Sequence, residues 1–143
     1  MLILPRCSAC ANESKRPAVL TDTSFWIDLL EERHQRLTGP ATHFLGQNRH
    51  VSLEVSIVTW GELAVGFNSP DALDGLLRRV KVLNLHRQVA WEAGSIERTL
   101  AATGSRLGEN DNWIAATARV WGLRLVSRDA AFHRVPGLTV VRY

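Results

Sequence analysis

Residues Glu109–Asp129, ENDNWIAATARVWGLRLVSRD, decide how the chain is read. Trp113, Ile114, Thr117 and Trp121 recur at helical spacing, with the small Ala115, Ala116 and Ala118 between them allowing close packing on a sheet. Gly122 is a helix stop, and Arg124–Ser127 reads as the strand that follows. The stretch is one αβ unit, a helix over 110–121 and a strand, with a carboxylate at either end. Asp111 lies in the first helical turn and Asp129 just beyond the strand. A helix leaving a sheet edge and a strand returning to it bring both acids to the same edge.

The preceding chain repeats this alternation. Ala18-Val19-Leu20 is a short apolar run ending at Thr21-Asp22, the pattern of a buried strand with polar residues at its carboxyl end. Thr23 or Ser24 is placed to cap a helix with Phe25, Trp26, Leu29 and Leu30 as its stripe, closed by Gly39-Pro40. A short helix follows over 41–49. Val51–Val58 alternates as a strand and leads into Thr59-Trp60-Gly61-Glu62, whose spacing predicts a capping box with Thr59 as N-cap and Glu62 at the third helical position. Further on, the spacing predicts a helix over Ala72–Val80, a strand at Lys81–Leu85, a long helix over 86–103 and a last strand at Leu138–Val141. Strands separated by helical crossovers imply an α/β domain: a central, mostly parallel sheet flanked by helices on both faces. In such sheets the binding crevice lies outside the carboxyl ends of the strands.

The bulk properties agree with a single domain over residues 18–143. The 143 residues are 45% hydrophobic and 22% charged, enough to bury about two-thirds of the unfolded surface around one core. No apolar run approaches the roughly 20 residues that span a bilayer, and the N-terminus makes a poor signal peptide, so a cytoplasmic protein without a membrane partner is expected. Residues 1–17 show no sustained period and are read as a flexible extension. Their Cys7 and Cys10 form one C-x-x-C, with no second pair to complete a zinc set and no strand before it to suit a redox pair. The formal charge of +3 is uneven, with five basic and two acidic residues over 111–143. A basic third beside an acidic edge suits a phosphate backbone approaching bound cations; a solvated, Arg-rich surface is the plain alternative.

Four acids therefore have positional meaning: Asp22 and Asp129 after strands, Asp111 at a helix start, and Glu62 one turn beyond the second strand. Singly, each has a structural reading, as a loop acid, a capping-box partner, a favourable charge at a helix N-terminus or a turn cap. Gathered at one edge they repel one another and call for cations. Oxygen ligands without Cys favour hard divalent ions, Mg²⁺ with Mn²⁺ as the alternative. Two such ions about 4 Å apart activate water and orient a phosphodiester. A doubly wound phosphatase would want a second acid two residues after its nucleophile, where Ser24 stands, and is ranked last.

At these residues the chain resembles a family. ENDNWIAATA followed by GLRLVSRDAAF is similar to the C-terminal signature of PIN-domain proteins, above all the VapC ribonuclease toxins of toxin–antitoxin pairs. VLTDTSFWI matches the opening strand and first acid of that family, and IVTWGELAVG the segment carrying its Glu. The resemblance runs from about Val19 to Val141. It implies a PIN-like fold, with Asp22, Glu62, Asp111 and Asp129 as catalytic, metal-binding acids and Mg²⁺- or Mn²⁺-dependent endoribonuclease activity through metal-activated water. It also implies an RNA substrate, a cognate antitoxin and a homodimer. Thr23 and Ser127 occupy hydroxyl positions that in the family lie beside the acids, while Asn110 and Glu109 match less strictly and are expected as supporting residues. Arg128 and Arg134 are the candidates for RNA phosphate contacts. The chain departs from the pattern in the 21 residues ahead of Asp22, where most members place the first acid close to the initiator Met. A catalytically inactive PIN-like module that holds RNA or protein is the competing function.

Overall fold

The computed structural model describes residues 16–143. Cys7, Cys10 and nearly all of the expected extension lie outside the described residues. Five strands, β1 (Ala18–Thr21), β2 (Ser52–Ser56), β3 (Lys81–Leu83), β4 (Arg124–Val126) and β5 (Val140–Val141), form one sheet in the order β3-β2-β1-β4-β5. Every neighbouring pair is parallel. Six helices connect them: α1 (Thr23–His34), α2 (Pro40–Gln47), α3 (Ile57–Ala64), α4 (Pro70–Leu76), α5 (Arg87–Ala102) and α6 (Glu109–Trp121).

Side chains alternate across the pleat, which gives the sheet two apolar faces. Leu20, Leu83 and Leu125 pack with Val89, Ala93, Ile96 and Leu100 of α5 and with Ile114, Ala115 and Ala118 of α6. Val19, Val55 and Val126 face the other way, onto Phe25, Trp26 and Leu29 of α1 and onto Phe44, Leu63 and Leu73. Phe25 is the centre of that second core, edge-on to Trp26, Phe44 and Tyr143. In α6, Ile114 and Thr117 are buried, and Trp113 and Trp121 are half-buried against the first core. They are packing residues, as their helical spacing implies.

The register brings the site together. Thr21 pairs with Val126, and beyond the ladder the Asp22 N–H donates to Val126 O at 3.2 Å while the Ser127 N–H donates to Val141 O at 3.0 Å. Asp22 and Ser127 are thereby held side by side where β1 and β4 end. The chain winds from β1 through β2 to β3 in one direction and then returns to add β4 and β5 on the other side of β1. The β1/β4 boundary is the switch point at which a doubly wound sheet opens a crevice.

Two expectations about helix starts are corrected. The α1 cap is neither Thr23 nor Ser24 but Asp22 itself, whose carboxylate accepts the Phe25 N–H at 3.0 Å. The capping box at Thr59 is absent. The Ser56 hydroxyl accepts the Thr59 N–H at 3.1 Å, so α3 begins at Ile57, and the β-branched pair Ile57-Val58 is its first turn rather than the end of a strand. Glu62 is consequently the sixth residue of α3, free of any capping duty. Strand and helix ends elsewhere are shorter than the periodicity suggested, β5 by two residues and α4 by four at its C-terminal end.

Candidate active site

Asp22 is 4% exposed, the most enclosed of the four acids. Three donors hold it: the Phe25 N–H, the Ser24 hydroxyl at 2.8 and 2.9 Å from its two oxygens, and the Ser127 hydroxyl. Burial pushes its carboxyl above the ordinary aspartate range. The three hydrogen bonds oppose that rise, and the charge of Asp129 adds to it. Ser127 in turn accepts the Asp129 N–H at 3.0 Å, so one hydroxyl spaces the two acids. Asp129 caps the 3-10 turn Ala130–Arg134 by accepting the Ala131 N–H at 2.8 Å. It has both the capping role and the position beside Asp22, so its two sequence readings are compatible.

Glu62 reaches the same edge from α3. One of its oxygens accepts the Thr23 hydroxyl and the other accepts Asn110 Nδ2 at 2.9 Å. Thr23 belongs to the first turn of α1 and Asn110 to the first turn of α6, so Glu62 is clamped between the elements that carry Asp22 and Asp111. Asp111, half-buried at the start of α6, has its carboxyl raised first by burial and then by the charges of Asp129, Glu62 and Asp22. That set of neighbours brings all four acids within electrostatic reach of one group.

The described residues form three ion pairs, Arg106–Glu97, Arg119–Glu92 and Arg128–Asp28, and none neutralises these acids. Mutual repulsion at a partly desolvated edge is costly unless a cation enters. The donor set is all oxygen, which fits Mg²⁺ or Mn²⁺. No three His, Cys, Asp or Glu side chains among the described residues stand close enough to enclose an ion by themselves. An open frame of this kind suits Mg²⁺, which is generally bound through one or two carboxylates and keeps several waters.

The supporting residues sort clearly. Thr23, Asn110 and Ser127 each touch an acid. Glu109 points elsewhere, lining a cavity between α5 and α6 with Ala93, Glu97 and Arg106. Arg128 is not a free phosphate contact, because its guanidinium pairs with Asp28 at 2.8 Å. Arg134 is exposed beside Arg106. Sequence reasoning missed Ser24 as a donor to Asp22, and it missed Asp28 and Tyr143 altogether. The DTS triplet at 22–24 was the available signal for Ser24.

A switch-point sheet edge carrying four unneutralised acids defines a small α/β protein with an acidic site open to solvent. The chain belongs to the PIN domain family, whose model matches residues 19–138. Ribonuclease VapC1 of Haemophilus influenzae is 29% identical over 127 residues, covering 83% of this chain and 92% of that protein. The DNA-bound VapBC complex of Salmonella typhimurium contains a chain of the same fold, with a TM-score of 0.71 and 26% identity, covering 88% of this chain and 98% of that one. VapBC2 of Rickettsia felis, bound to a promoter DNA fragment, superposes with a TM-score of 0.73 at 18% identity over 87% of this chain and 98% of that one, a likeness of fold.

Proposed function

We propose that the protein is a divalent-metal-dependent endoribonuclease and the toxin of a toxin–antitoxin pair. The observation that carries the chemistry is the meeting of Asp22, Glu62, Asp111 and Asp129 at one edge with no cationic side chain among them. The relatedness to VapC ribonucleases supports RNA as substrate. The complexes in which the structural relatives occur support a cognate antitoxin as partner.

Asp22, Glu62, Asp111 and Asp129 would hold the metal, directly or through its waters. When bound, Mg²⁺ or Mn²⁺ supplies the positive charge that makes water nucleophilic at neutral pH and that offsets the charge of a phosphodiester. The protein's own contribution is orientation. Phe25 N–H, Ser24 and Ser127 orient the Asp22 carboxylate and oppose the rise that burial imposes on it. Thr23 and Asn110 occupy one lone pair on each Glu62 oxygen and aim the others. Arg134 is the remaining candidate for an RNA phosphate. A groove of about 600 Å³ lined by Ile27, Leu30, Leu63, Val65 and Phe67 runs up to Glu62, with Ile27 53% and Val65 91% exposed. Such an apolar surface suits a protein partner able to reach the site, and a homodimer remains part of the proposal. Among the described residues no helix is long and apolar enough to cross a membrane.

The test is cleavage of a panel of structured RNAs in Mg²⁺ or Mn²⁺ by this chain and by Asp22→Asn. Cleavage by the parent that EDTA abolishes and the variant lacks is expected, with a loss of about a hundredfold or more. Cleavage undiminished by EDTA, or full activity in Asp22→Asn, rejects the mechanism. An inert parent that still binds RNA would favour the non-cutting module.

A further inference from the structure

Asp28, on α1, receives two donors on a single oxygen. Arg128 Nη1 lies 2.8 Å from Oδ2, and the Tyr143 hydroxyl donates to the same atom at 2.8 Å. Tyr143 also lies 3.5 Å from the Ser24 hydroxyl, which itself donates to Asp22. The two ends of this arrangement are informative. Arg128 stands between Ser127, the donor to Asp22, and Asp129, one of the four acids. Asp28 sits on the helix that Asp22 caps.

The peptide at 127–129 needs such an anchor. The β-ladder ends at Ser127, whose N–H bonds to Val141 O. Beyond it, Asp129 is exposed; its N–H donates to the Ser127 hydroxyl and its carboxylate caps the turn that follows. Besides the Ser127 bond to Asp22, the Arg128–Asp28 pair is a second link that ties this peptide sideways to α1. Tyr143 donates to the same Asp28 oxygen and stacks edge-on against Phe25 in the core.

We propose that Asp28, Arg128 and Tyr143 form a clamp of positioning residues that sets the distance between Asp129 and Asp22 and so tunes the affinity of the acid site for its divalent ion. The inference rests on the metal-dependent nuclease reading. Arg128 is 55% exposed and Asp28 21%, so the pair adds little to global stability. Its consequence lies in the geometry of the two carboxylates it separates. Groups that orient metal ligands from outside commonly change metal affinity or activity by about 10- to 100-fold when removed.

The experiment compares the full chain with Asp28→Asn, Arg128→Gln and the double variant. It reads Mn²⁺ affinity by titration, kcat and KM on a cleaved RNA, and the melting temperature. Asp28→Asn should weaken Mn²⁺ binding about tenfold and lower kcat, with RNA KM unchanged because none of the three clamp residues is given a contact to RNA. Arg128→Gln should weaken Mn²⁺ binding by the same factor, and the double variant should be no worse than either single one. Asp28→Glu should restore part of the loss. Parent-like Mn²⁺ affinity and kcat in Asp28→Asn would overturn the clamp, as would losses that simply multiply in the double variant. Should Asp28→Asn fail to fold, Arg128→Gln and Tyr143→Phe decide the matter by the same Mn²⁺ titration, since each removes one of the two donors to Asp28. A parent chain that neither binds Mn²⁺ nor cleaves RNA would instead remove the nuclease reading on which the clamp depends.

Discussion

Ser127 does two things with one hydroxyl: it donates to Asp22 and accepts the Asp129 N–H. Its loss therefore has a directional effect. Burial and the charge of Asp129 already raise the Asp22 carboxyl, and the Ser127 bond is one of the three contacts opposing that rise. A carboxylate must be ionised to hold a cation, so protons compete with metal. Mn²⁺ affinity should fall as pH drops through the raised values of Asp22 and Asp111, above the ordinary aspartate range. Ser127→Ala removes an opposing contact, moves that fall to higher pH, and weakens Mn²⁺ binding at neutral pH by about tenfold. Metal titrations at stepped pH read both effects, and a curve superposable on the parent's would contradict the role given to Ser127. At this scale, Asp22, Asp111 and Asp129 were legible because each stands where a strand ends or a helix begins. Among the donors around them, Thr23 and Ser127 were legible only through the family resemblance, since a hydroxyl 105 positions from its carboxylate leaves no local pattern.

At the scale of elements, the lesson is what a capping group can override. Ile57 and Val58 are β-branched and continue the alternation of β2, so periodicity assigns them to a strand. Ser56 overrides it by offering an acceptor to the Thr59 N–H, and α3 starts early. The shift matters to the site because it frees Glu62 to meet Thr23 and Asn110. A comparable device holds α2. Glu32 is a buried acid whose carboxylate accepts the Ala41 N–H at 2.9 Å and the Thr42 N–H at 2.8 Å. Gly39 is needed beside it because an added Cβ would overlap that carboxylate. Burial alone would raise the Glu32 carboxyl. The bonds from Thr42, Ala41 and Gly39 outweigh burial and leave it lowered. A carboxyl lowered on folding contributes stability above its unfolded pKa and loses it as pH falls through the folded value. Glu32→Ala should cost about 1–3 kcal/mol at neutral pH by leaving two helix N–H groups unpaired. Denaturant unfolding at pH 7 and at pH 3 measures it, and the penalty should shrink at the lower pH. An equal penalty at both would argue that packing, not charge, is what Glu32 supplies.

For the whole molecule, the parallel sheet was readable from the alternation of short apolar strands with helical crossovers, and two faces of core residues follow from it. The strand order β3-β2-β1-β4-β5 was not readable, because the reversal after β3 depends on how α5 and α6 pack rather than on either helix alone. That reversal is what places Asp22 and Ser127 side by side. The fold thus concentrates like charge at its switch point, a local cost in stability that, on the proposed reading, a divalent ion would offset. Thermal unfolding with and without Mn²⁺, on the parent and on Asp111→Asn, tests this most directly. Metal at a hundredfold excess over its Kd should stabilise the parent by about 2.7 kcal/mol. Metal-free Asp111→Asn should melt at or above the parent, because repulsion from Asp129, Glu62 and Asp22 is relieved, and Mn²⁺ should no longer raise it appreciably. If Mn²⁺ stabilises neither protein, or both alike, the four acids are not a metal site.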